Sequence, residues 1–209
     1  KKKSKPAGNS AIFSTRRFRI PDDSCTFYYQ QMNDAIAGKK FDRTDPNSAA
    51  ASYRKIRSCS KDQDFILGAN SRLLSALMNT AQEIVNNSFI GKNFVMEKEY
   101  GYAIDLYDQV LELNDLKLPY HAQLTNLQRY LKVLGATLWN WRSDMTEFSL
   151  ILDSAMKQEP EAAYLLSAKG ALELRNNNYT NAIQILEKAT KMTPGWLVPK
   201  YYLGVAYGY

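Results

Sequence analysis

The amino-acid sequence predicts an all-α fold assembled from repeated helix pairs, and three observations carry that reading. A set of positions recurs every 34 residues: Pro160 and Pro194, Ala155 and Ala189, Ile151 and Ile185, Phe148 and Ala182, and the small residues Ala136, Gly170 and Gly204. A fixed period of roughly 20–50 residues marks stacked supersecondary units. Within one unit Tyr179, Ala182, Leu186 and Ala189 step by 3, 4 and 3, which lines one face of a helix. Seven prolines and ten glycines in 209 residues are too few to punctuate a sandwich or barrel of short strands.

The periodicity predicts helices over 24–37, 47–59, 62–86, 97–114, 119–141, 144–157, 160–176, 178–192 and 196–208. The second carries a weak Ala49-x-x-x-Tyr53-x-x-Ile56 pattern. In the third, Phe65, Ile66, Ala69, Leu73, Leu74, Leu77, Ala81 and Ile84 form an apolar stripe across about six turns. Asn86-Asn87-Ser88 and the stretch to Asn93 read as its exit loop. The fourth repeats the pattern as Tyr100-x-x-Ala103-x-x-x-Tyr107-x-x-Val110. Its spacing has drifted, with 54 residues from Ala49 to Ala103 and 45 from Ala103 to Phe148. The acid pairs Asp22–Asp23 and Glu159–Glu161 fall at helix starts, where they complement the macrodipole. Pro194 closes the eighth helix. The chain divides into a basic tail (1–22), enlarged or degenerate repeats (23–118) and more regular repeats (119–209).

The stretch Leu166 to Pro194 has Gly170 in its first helix, Tyr179 at the turn, then Ala182, Leu186, Ala189 and the closing Pro194. Leu203, Gly204 and Tyr207 follow like the core of a next first helix. This unit resembles the tetratricopeptide repeat, with two departures: Glu173 replaces the usual aromatic of the first helix, and Phe148 stands where the second helix usually carries alanine. The resemblance implies a right-handed superhelix, an α-α solenoid of antiparallel helix pairs that approach closely where Gly or Ala lies at the crossing. It also implies a concave face built from first helices. In this register Tyr130, Val133, Thr137, Asn140 and Trp141 look inward, then Tyr164, Ser167, Ala171, Leu174 and Arg175, then Tyr201, Val205 and Tyr209. Rigid aromatic area with a polar tip is typical of interaction anchors. The expected contact residues are therefore Tyr130, Asn140, Trp141, Tyr164, Leu174, Arg175 and Tyr201, the alternative for each ring being packing between repeats. Thr137, Ala171 and Val205 stand where family members that grip a peptide carboxylate need asparagine, so that array of donors is missing. Arg175 alone remains to pair with an acid.

These features favour a non-enzymatic adaptor or scaffold that binds a partner peptide or helix. The alternative is a ligand- or glycan-binding helical-repeat protein at a bacterial cell surface. No cofactor or metal site is expected: one histidine, His121, and two cysteines leave little material for a zinc site or a nucleophile–base pair. No phosphate-binding glycine loop or His-Glu-x-x-His pattern occurs. The net charge of +6 sits at one end. Residues 1–20 hold seven of the 27 basic residues and no acid, leaving 20 basic against 21 acidic from Pro21 onward. A neutral body argues against nucleic acid as a partner.

The tail reads either as a linker beside a lipid anchor or cleaved signal, hence near a membrane, or as a contact arm using Ile12, Phe13, Phe18 and Ile20 with Arg16, Arg17 and Arg19. The pattern ending at Tyr209 predicts that more protein follows. Cys25 and Cys59 fall at the open end of one antiparallel pair, so they form either a disulfide or two packed thiols. A bridge points to an extracytoplasmic setting.

Overall fold

A computed structural model describes residues 23–91, 97–113, 121–139 and 144–209. Among these residues the chain is all-helical, without a strand. The elements are α1 (Asp23–Ala37), α2 (Ala49–Cys59), α3 (Gln63–Ile90), α4 (Glu97–Glu112), α5 (His121–Trp139), α6 (Thr146–Gln158), α7 (Ala163–Arg175), α8 (Tyr179–Met192) and α9 (Leu197–Tyr207). The predicted basic tail, residues 1–22, and the expected contacts Asn140 and Trp141 lie outside the described residues.

Local chemistry sets several of the boundaries. Ser48 caps α2 by accepting from the Ala51 amide at 3.2 Å, and Asp62 caps α3 by accepting from Phe65 at 3.1 Å. Pro199 lies in the first turn of α9, where its missing amide hydrogen costs no intrahelical bond. The predicted exit loop at Asn86-Asn87-Ser88 is a correction: α3 continues through it to Ile90. Val85, Ser88 and Phe89 extend its buried face, and tertiary burial overrides the loop-like composition. The actual stop is Gly91, whose amide donates to the Asn87 carbonyl at 3.0 Å with φ at 62°. A Cβ at this position would sit 2.3 Å from Leu197 Cδ2, so the backbone conformation and the close approach of α9 both require glycine.

Consecutive helices pack antiparallel. In the first pair the Ala49 amide donates to the Lys40 carbonyl at 3.0 Å at one end, and a disulfide joins Cys25 to Cys59 at the other with 5.8 Å between the Cα atoms. Between α3 and α4, the hydroxyls of Ser88 and Tyr100 are 2.6 Å apart, Tyr107 donates to Gln82 at 3.4 Å, and Asn70 donates to the Leu113 carbonyl at 3.1 Å. Gln128 of α5 bonds Asp108 of α4. Glu159, just after α6, accepts from Asn126 of α5 at 2.8 Å and from the Tyr164 hydroxyl of α7 at 3.0 Å. In the α7–α8 pair a Cβ on Gly170 would lie 2.4 Å from Leu186 Cγ, and Leu186 is fully buried. Every third or fourth residue of each face feeds one buried cluster running from Cys25 to Ala206, across the 118/119 position where the repeat pattern changes.

Two contacts shape the assembly beyond neighbouring helices. The α1–α2 loop docks on α4: Arg43 pairs with Asp105 at 2.6 Å and Glu112 at 2.8 Å, while Gln109 donates to the Phe41 carbonyl at 2.8 Å. The far end of α3 meets α9, where the rings of Phe89 and Trp196 stack with centroids 3.9 Å apart and planes 2° from parallel.

Two measurements test this packing. The variant C25A/C59A should unfold at lower urea concentration, by about 3–4 kcal/mol, because the bridge closes a loop with a sequence separation of 34. An unchanged midpoint would show that the bridge contributes nothing. Gly170→Ala should cost about 1–3 kcal/mol through its clash with Leu186, and in a Leu186→Ala background, where the clash is gone, the same change should cost less.

Candidate functional site

The parallel helices α5, α7 and α9 end side by side, and a pocket of about 190 Å³ opens between their C-terminal ends. Thr137 and Leu138 come from α5, Ala171, Leu174 and Arg175 from α7, and Tyr201, Tyr202 and Val205 from α9. Asn177, Tyr179 and Tyr209 complete the wall. Spacings of three and four residues put the α7 set on one helix face and the α9 set on another.

The floor is polar and already satisfied. Thr137 is buried and donates its hydroxyl hydrogen to the Leu134 carbonyl at 2.8 Å. The Tyr202 hydroxyl lies 3.3 Å from Thr137 Oγ1, within hydrogen-bond reach. Burial raises the Tyr202 phenol well above its ordinary range; neighbouring Tyr100 and Tyr201 add to the rise, against the Thr137 bond and the Arg175 charge. The rim is aromatic: Tyr201 is 53% exposed and meets Tyr202 edge-on at 5.2 Å, and Tyr179 stacks on Tyr209 at 5.0 Å with planes 9° apart. Tyr179 also donates to Asn177 Oδ1 at 2.9 Å across the α7–α8 turn, where Asn177 adopts φ of 62°. Among the residues lining this pocket Arg175 is the one full charge, and none is acidic. A broader groove of about 450 Å³ runs over α4, α5 and α6 past Tyr100, Gly101, Ile104, Gly135 and Phe148. Gly135 and Ala136 leave that hollow opposite the large Phe148 ring.

Of the residues expected on the concave face, the fold brings Leu174, Arg175 and Tyr201 together around the pocket. Tyr130 is a correction: it has no exposed surface and packs between Phe89 and Tyr164, with centroids 5.7 and 5.6 Å away. The long end of α3 covers this stretch of α5. Tyr164 is half-buried against that cluster, its hydroxyl held by Glu159, so it serves packing more than contact. Val133, Ser167 and Ala171 are buried as well. Cys25 and Cys59 form their bridge in the first pair rather than at the pocket. Sequence reasoning missed Tyr179, Tyr202 and Asn177 as pocket residues. Tyr179 had been absorbed into the repeat pattern, and the adjacent Tyr201-Tyr202 pair on one helix was the available signal.

No group of three or more His, Cys, Asp or Glu side chains is placed to hold a metal ion among the described residues. No described helix is long and apolar enough to cross a membrane. No protein-family model, curated protein or solved structure matches the chain.

The buried phenols predict an alkaline limit. Burial raises Tyr100, Tyr107, Tyr130, Tyr164 and Tyr202, with Tyr107 reaching about 12. The unfolded chain releases these protons near pH 10 while the folded chain retains them. Their contribution is therefore full below about pH 10 and falls as pH rises through the folded values. Tyrosinate absorbance should lag behind free tyrosine above pH 10 and then rise together with loss of helical circular dichroism. A smooth titration at pH 10 with helix intact would contradict the burial.

Proposed function

We propose that the chain is a non-enzymatic interaction module, a solenoid of tetratricopeptide-like helix pairs that receives a segment of a partner protein at the α5–α7–α9 pocket. The observation that carries this reading is the pocket itself, where four tyrosines and Arg175 surround a hollow large enough for one side chain. A cavity of about 150 Å³ accommodates a benzene ring, against about 190 Å³ here. The repeat architecture is supported by the 34-residue period, the antiparallel pairing and the Gly170–Leu186 approach, which falls where the repeat places a small residue. Extended helical surfaces of this kind bind by shape and side-chain anchors rather than by chemistry on a substrate. The Cys25–Cys59 bridge supports work in an oxidising, extracytoplasmic compartment.

The anchors make the test specific. For a partner purified with the intact chain, Tyr201→Ala and Leu174→Ala should each weaken binding by about 1–3 kcal/mol, with the melting temperature unchanged for Tyr201→Ala, whose ring is exposed. Phe27→Ala, on the exposed face of α1, serves as the control and should bind normally. Equal affinity for all four proteins in a calorimetric titration would move the interface away from this pocket.

A further inference from the structure

One repeat length separates α7 from α9, and the two helices differ in what covers them. In α7 the residues Ala163, Leu166, Gly170 and Glu173 step by 3, 4 and 3 along one face, and all four are buried. Helix α8 lies on that face: Gly170 approaches Leu186, and Glu173 accepts from Asn178, just ahead of α8, and from Asn181 within it. At a spacing of 34 residues the same stripe of α9 is Leu197, Lys200, Gly204 and Tyr207. All four are exposed, Leu197 by 50% and Tyr207 by 60%. A Cβ at Gly204 would meet open space, where one at Gly170 would lie 2.4 Å from Leu186 Cγ. Helix α9 packs on α3, α7 and α8, and among the described residues no helix covers this face. We propose that the face docks an amphipathic helix of a partner protein, laid antiparallel to α9 as α8 lies on α7. It is a surface apart from the pocket and does not depend on it.

The α7–α8 interface specifies the occupant, because the open face continues that interface one repeat further. Leu186 fills the hollow at Gly170, and Ala182 precedes it by one turn; both are fully buried. A leucine with a small residue four positions earlier fits Gly204 in the same way, since a glycine at the crossing lets two helices approach to about 8 Å. Charge adds a second requirement. Where α7 has Leu166, α9 has Lys200, and α9 contains no acidic residue. In an antiparallel pair the residue one turn before Gly170 faces the turn after Leu186, near Thr190. The docking helix thus carries Asp or Glu four residues after its leucine, opposite Lys200. Tyr207 borders the face with its hydroxyl donating to Glu187 of α8 at 2.6 Å. A second copy of the chain fits less well: Leu150, its most exposed leucine among the described residues, lies beside Asp153, which is already paired with Lys169 at 3.5 Å.

The probe is a synthetic peptide of residues 178–193 carrying Thr190→Glu, its helix held by a lactam between Gln184→Glu and Lys188, two positions exposed in α8. The lactam is needed because a free helix of this length is marginal in water. The peptide is titrated into the isotope-labelled intact chain, with the Gly204 and Tyr207 amides reporting on this face and the Tyr179 ring on the pocket. The expected result is a shift at Gly204 and Tyr207, with binding about tenfold weaker when the peptide also carries Leu186→Ala. Gly204→Leu in the chain should weaken binding by at least about tenfold without lowering Tm, since the added side chain meets open space and leucine is the better helix former. Lys200→Glu should reverse the preference between peptides with Thr190→Glu and Thr190→Lys. Unchanged affinity in Gly204→Leu, or shifts confined to the Tyr179 ring, would overturn the proposal and leave the pocket reading standing. The absence of any shift would overturn it as well. A chain that sediments as a dimer, and as a monomer after Gly204→Leu, would assign the face to a second copy instead.

Discussion

The stack of Phe89 on Trp196 is the contact on which the arrangement of the second half depends. It joins the last turn of α3 to the first residue ahead of α9, and Gly91 lets Leu197 come close enough to seal the join. At 1.5 Å per residue, the 28 residues of α3 extend about 42 Å. One end lies beside the disulfide-linked pair, and the other reaches α5 and α9. The rings it contributes fill the space around Tyr130 and Tyr164. What remains open is the opposite end of α5, α7 and α9, where the pocket lies. A shorter α3 would leave Tyr130 uncovered and α9 without its anchor.

Polar groups fix register where apolar packing alone would tolerate sliding. Asn126, fully buried, is held by Glu159, which also holds Tyr164, so one carboxylate sets α7 against α5. Glu173, the departure from the repeat pattern, is buried beside Lys169 at 3.3 Å and accepts from Asn178 at 2.9 Å. Burial raises its carboxyl, but the bonds from Asn178, Asn181 and Lys169 outweigh this and hold it below the usual range. A buried carboxylate is tolerated only when paired and hydrogen-bonded in this way. It locks the α7–α8 turn, the same turn that supplies Asn177 and Tyr179 to the pocket.

The helices were legible because helical periodicity and the 34-residue spacing report directly on which faces are buried. The Cys25–Cys59 proximity was legible for the same reason, since antiparallel pairing places the start of one helix beside the end of the next. The end of α3 was not. Asn86-Asn87-Ser88 has the composition of a loop, and the forces that keep it helical come from Ser88 meeting Tyr100 and Phe89 meeting Trp196, both remote in sequence. The concave-face reading failed at Tyr130 through the same gap: periodicity identifies a face but not a distant helix that covers it. Leu174, Arg175 and Tyr201 converge because they share the uncovered end. Tyr209 joins them as the same register predicts, whereas Tyr179, at the start of α8, and Asn177, in the turn before it, lie outside the first helices from which the register built this face.

The sulfur bridge also determines how the molecule carries a mechanical load. A pull applied ahead of Cys25 passes across the bridge to Cys59 and enters α3 at Gln63, bypassing the covalent path through α1 and α2. The first helix pair hangs as a closed side loop outside the line of tension. Force then runs along the axis of α3, the element that ends on Trp196, so tension from the N-terminal side is delivered to the aromatic join instead of peeling the first two helices apart.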